Sequence, residues 1–125
     1  MKGRQMQDWP GEDPLGEIEE IVAEAIAMSL FDNGRALDTA KWLDRCVDRL
    51  APGVAFQPSP DAREMYVDLM MGLALTAESL RARTQSDQIT ADQNELTASR
   101  CLDRVRIEEL VFAADFRFPE GGIWG

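Results

Sequence analysis

Three glutamates, two cysteines and a methionine cluster are the residues of this chain whose types and spacings could do chemistry. Glu17, Glu20 and Glu24 recur at spacings of four and three, which on a helix places them on one side, within roughly 60° of each other. Carboxylates so arranged could hold a divalent cation, trade a proton, or present a block of negative charge. The chain contains no His. That absence removes imidazole bases, Ser–His and Cys–His nucleophile pairs, and the Glu-x-x-His ligand sets of di-metal helical proteins. An all-oxygen Mg²⁺ or Ca²⁺ site remains conceivable, but this glutamate face lies opposite the apolar residues of its own segment, in water. No metal and no cofactor are expected. The sequence also lacks an Asp-x-Asp-x-Asp-Gly loop, a Gly-rich phosphate loop and a Gly-x-Ser-x-Gly elbow.

Cys46 and Cys101 stand beside Arg45 and Arg100, cations that would lower a thiol pKa if close. Both also sit at helical spacing among apolar residues, where a cysteine is ordinarily a small core filler. With no export signal in view, reduced thiols are expected rather than a disulfide. Met65, Met70 and Met71 could line an adaptable groove, though core packing is their more ordinary use.

Charge is the most informative feature. The chain has 125 residues with 13 basic and 23 acidic side chains, a net charge of −10. Between Asp8 and Asp32 stand Asp8, Glu12, Asp13, Glu17, Glu19, Glu20, Glu24 and Asp32, with no base among them. A helix that only needs solubility usually mixes signs; a one-sign field raises the on-rate toward a basic surface. Such a chain is repelled by phosphates and anionic membranes, so neither direct nucleic-acid binding nor membrane binding is expected. The longest apolar uncharged stretch, Leu69 to Ala77, covers nine residues, far short of the ~20 of a spanning helix. The N-terminal Met-Lys-Gly-Arg-Gln-Met-Gln-Asp lacks the apolar core of a secretory signal, so a cytoplasmic location is expected. Eleven Arg against two Lys, with abundant Ala, Leu and Asp, is the bias of a GC-rich bacterial or phage coding sequence.

The elements that must position these residues are helical. Residues 1–13 have no period and read as a flexible arm, residues 14–114 as a helical domain, and residues 115–125 as an aromatic C-terminal extension. Asp13-Pro14 is a good helix start, and the apolar residues of 14–31 fill an arc of roughly 200°. Asp32-Asn33-Gly34 reads as the stop of that helix. A second helix is predicted over 35–50 and ends at Ala51-Pro52-Gly53. Ser59-Pro60-Asp61 opens a third, over 60–83, apolar nearly all round between Met65 and Ala77 and therefore central. Gly72 inside it implies close approach of another helix. A polar linker over 84–89 and a capping box, Thr90 with Gln93, precede a fourth helix running to Ala114. Arg45 to Leu50 echoes Arg100 to Val105 at an offset of 55, but little else matches at that offset, and a biased composition explains it.

The expected fold is all-α: a small four-helix bundle or an orthogonal pair of helical hairpins, with an irregular N-terminal arm and an aromatic C-terminal tail. The expected function is non-enzymatic: a regulator or inhibitor that docks on a basic partner protein through Glu17, Glu20 and Glu24, with Phe116, Phe118 and Trp124 of the tail as anchors. Trp9, ahead of the first helix, is a further candidate. The alternatives are a structural homodimer or assembly subunit and a toxin-neutralising immunity protein. The wide apolar arc predicts a homodimer when the partner is absent, joined through Ile18, Ile21, Ala25 and Met28. A thiol-dependent or small-molecule enzyme in the Met-rich centre is the weakest reading.

Overall fold

Three side-chain caps start three of the four helices. The computed structural model describes residues 14–28 and 32–112. Helix α1 spans Pro14–Met28, α2 Asn33–Leu50, α3 Pro60–Thr84 and α4 Gln88–Asp103. Short 3-10 turns follow α2 at Ala51–Phe56 and α4 at Ile107–Glu109. The described residues are all helix, turn and connection, without a strand. None of these helices is long and apolar enough to cross a membrane.

Ser59 Oγ accepts the Ala62 N–H at 3.1 Å, with Pro60 in the first turn, as the sequence predicts. Two other boundaries move. Asp32 serves both helices: its N–H bonds back to the Met28 carbonyl at the end of α1 at 2.8 Å, and its carboxylate opens α2 by accepting the Gly34 N–H at 2.9 Å. Asn33 and Gly34 thus belong to a first turn rather than to a left-handed stop. The expected linker over 84–89 shrinks to three residues because Ser86 takes the left-handed conformation at φ 61°. The N–H groups of Ser86 and Asp87 then return to the Arg83 and Ala82 carbonyls at 3.1 and 2.9 Å, satisfying the end of α3. Asp87, not Thr90, caps α4, accepting the Thr90 N–H at 3.2 Å. A cap three residues earlier wins because the reversal at Ser86 leaves no chain to spare.

α3 packs against α2 on one side and α4 on another, which explains why its apolar residues nearly encircle it. Leu69, Leu73, Ala77 and Leu80 of α3 are fully buried, as are Leu43, Cys46 and Leu50 of α2. The α3–α4 seam is built from small residues. A Cβ on Gly72 would come within 2.6 Å of the Leu102 side chain and 3.3 Å of the Ala98 carbonyl oxygen. Farther along, Ser79 Oγ donates to the Ala91 carbonyl at 2.8 Å. A third side of α3 stays open: Val67 is 38% and Met71 49% exposed, so burial is two-sided.

The largest correction falls at the end of α4. Helical period continues to Ala114, yet the helix ends at Asp103. The chain then turns back, through backbone bonds from Arg104 and Val105 N–H to the Cys101 and Leu102 carbonyls, and buries Leu110 and Phe112. The echoed hexamers therefore differ: Arg45 to Leu50 is wholly helical, whereas Arg100 to Val105 contains the break.

Gly72→Ala separates propensity from packing. In an open helix the change stabilises by about 1 kcal/mol. Here the methyl must displace Leu102, and overpacking should leave the protein less stable by about 1–2 kcal/mol. Urea unfolding of the two proteins checks the sign.

Candidate interaction surfaces

α1 lies against α2 through one narrow side. Ile18 and Ala25 point into the core, at 5% and 0% exposure, with Ile21, Val22 and Ile26 half-buried against it. Of the four residues expected at a dimer interface, Ile18 and Ala25 are thus covered by the chain itself. Ile21 is half-buried and Met28 is exposed. The opposite side of the helix carries charge. Glu20 and Glu24, about 40° apart on the wheel, are both exposed, as is Glu19. The side chain of Glu17 lies outside the described residues, and so do Trp9, Phe116, Phe118 and Trp124.

The other helices treat charge differently. Arg81 pairs with Asp44 of α2 and with Glu78 of its own helix. Arg83 meets Glu95 at 3.3 Å, and Arg104 spans both oxygens of Asp68 at 3.1 Å. Arg106 is held by Glu109 at 2.5 Å, which keeps that carboxyl below its ordinary range. Each of these cations is neutralised locally. Among the described residues, Glu19, Glu20 and Glu24 have no ion-pair partner.

A second surface was not legible in the sequence. Where α2 ends, the hydroxyl of Tyr66, the chain's one tyrosine, donates to the Leu50 carbonyl at 2.7 Å. Gly53 makes room for it, since a Cβ there would sit 2.2 Å from the hydroxyl oxygen. The Tyr66 ring meets Phe112 at a centroid distance of 5.8 Å. Beside them the buried amide of Gln57 donates to the Gly53 and Val111 carbonyls at 2.8 and 2.9 Å and accepts the Val111 N–H at 3.1 Å. A single glutamine therefore holds the backbone of the returning strap, residues 105–112. Gln57 lies in a connection with no period, so no pattern in the sequence distinguishes it.

The thiols are dull. Burial pushes Cys46 up to about 12, outweighing the opposing charges of Arg45 and Arg49. Cys101 is buried too, its sulfur 3.7 Å from an Arg104 nitrogen, and the two cysteines are unbonded. Met65 is buried in the core while Met71 lies outside it. Among the described residues no group of His, Cys, Asp and Glu side chains could hold a metal ion. Compared with known protein families, characterised proteins and solved structures, the chain matches none.

Burial also raises Tyr66 to about 12. Both groups are held neutral in the folded chain above their ordinary values of 9.0 and 10.0. The unfolded chain loses these protons first, so the stabilisation is complete below pH 9 and is lost as pH rises toward 12. The melting temperature should therefore fall between about pH 9 and pH 12, and fall less in Cys46→Ala/Tyr66→Phe, as a thermal scan across that window can test.

Proposed function

We propose that this chain is a non-enzymatic protein-binding regulator or inhibitor. The acidic face of α1 docks on a basic partner protein and covers its working surface. The observation that carries the reading is the contrast in pairing. Arg81, Arg83, Arg104 and Arg106 meet carboxylates of their own chain, while Glu19, Glu20 and Glu24 face solvent without a cation among the described residues. They belong to a 25-residue run, Asp8 to Asp32, that contains no base. A field of one sign on a helix attached by one edge accelerates encounter with a surface of the opposite sign. The phosphate-binding groove of a transcription regulator or a nuclease complex is such a surface, and the chain competes there for sites that nucleic acid would occupy. A toxin-neutralising immunity protein would use the same physics against a different partner.

In this reading the helices form a small bundle of two hairpins, α1–α2 and α3–α4, working in the cytoplasm without a metal or cofactor. The second reading, a structural homodimer or assembly subunit, draws support from the open side of α3. Val67 and Met71, four residues apart, offer an apolar stripe there that the described residues leave exposed.

Reversal of Glu17, Glu20 and Glu24 to Lys tests the first reading. The wild type should capture a basic protein from host lysate at low salt, release it at moderate salt, and slow its binding to nucleic acid when the two are purified. The reversed variant should lose all three behaviours while its unfolding free energy changes by no more than ~0.5 kcal/mol per site. Undiminished binding by the variant would move the contact to apolar residues. Light scattering that finds a dimer unaffected by the reversal favours the assembly reading.

A further inference from the structure

We propose that the groove between the Ala51–Phe56 turn and α3 also accepts residues 105–112 of a second copy, so that two chains exchange their C-terminal straps. The groove recognises a short extended segment by its chemistry. Leu110 and Phe112 are buried on either side of Val111, and Gln57 reads the N–H and the carbonyl of Val111 between them. Backbone bonding with alternate side chains inserted is how a protein takes up an added strand. Every copy of the chain carries the matching segment.

The strap also has a way out. Between Ala98 and Ala114 the sequence contains no Gly, Pro or Asn, and its apolar residues keep helical spacing throughout. α4 nevertheless ends at Asp103. At the turn itself the chain is held by a surface ion pair, Arg104 with Asp68, and two backbone bonds at 3.2 and 3.1 Å, while the burial of Leu110 and Phe112 that favours the reversal is kept when the strap is exchanged. An exposed pair of this kind contributes little. Straightened into one more turn of α4, residues 104–106 would carry the strap away from its own groove at about 1.5 Å per residue. Closed and exchanged states then make the same contacts at Tyr66 and Gln57 and differ mainly in the connector, which is the condition for exchange of an identical element. The tethered strap has the higher effective concentration, so exchange belongs to high protein concentration. This inference is independent of the acidic face of α1.

Two full-length variants test it by complementation. Gln57→Leu spoils the groove but keeps a sound strap; Phe112→Ala spoils the strap but keeps a sound groove. Mixed at high concentration and read by native mass spectrometry, they should form a 1:1 heterodimer in excess over either homodimer, because it alone holds one fully sound site and a second defect in a site already spoiled by the first costs little. A mixture that stays monomeric, or pairs at random, overturns the proposal. Should either variant fail to fold, half-labelled wild type gives the answer by isotope-filtered NMR. A Tyr66–Phe112 ring contact crossing from labelled to unlabelled chains supports exchange. A contact confined within one chain at every concentration overturns it.

Discussion

The bond from the Tyr66 hydroxyl to the Leu50 carbonyl ties the middle of this molecule together. It gives the Leu50 carbonyl, which ends α2 and starts the Ala51–Phe56 turn, a side-chain donor from α3. It fixes α3 against that end, because the hydroxyl reaches Leu50 only where Gly53 presents no side chain. Its ring then forms part of the surface on which Phe112 packs. One buried phenol thus sets the relation of α2, the turn after it, α3 and the returning strap. A buried hydrogen bond of this kind adds about 1 kcal/mol net, but leaving the phenol hydroxyl dry and unpaired costs more, about 1–3 kcal/mol.

Against that tightly joined half, α1 is a layer held by one edge. Its inner residues, Ile18 and Ala25, join the core, and its outer residues are acids and alanines. Arg81, Arg83, Arg104 and Arg106 close on carboxylates of the same chain, so their fields cancel within a few ångströms. The acids of α1 are not cancelled, and their field extends into solvent for about a Debye length, ~8 Å at physiological salt. Among the described residues the packing is concentrated around α3, and the proposed docking surface stands on the helix that they cover least.

The end of α4 shows where local preference yields. From Arg104 onward the residues are good or acceptable helix formers. Continuing the helix would leave Leu110 and Phe112 on a projecting rod and the Tyr66 ring uncovered. Turning back buries both side chains and lets Gln57 satisfy Val111. Burying a Leu and a Phe is worth about 1.5–3 kcal/mol each, which exceeds the few tenths per residue lost by leaving the helix.

Local physics alone determined the all-helical class, the cap at Ser59, the central place of α3 and the close approach at Gly72. Each follows from a pattern a few residues long: an oxygen before a helix, an encircling apolar run, a missing side chain. The outward direction of Glu20 and Glu24 was legible for the same reason, since helical spacing relative to Ile18 and Ala25 fixes it. Only tertiary structure decided that Ile18 and Ala25 fill the chain's own core, that Asp32 also caps the helix that follows it, and that α4 stops at Asp103. It alone brought Gln57 to Val111, 54 residues along the chain. A glutamine between a phenylalanine and a proline carries no periodic signal. Its partners are backbone groups, which every residue has, so their choice depends on where the distant chain passes and on nothing in the sequence beside it.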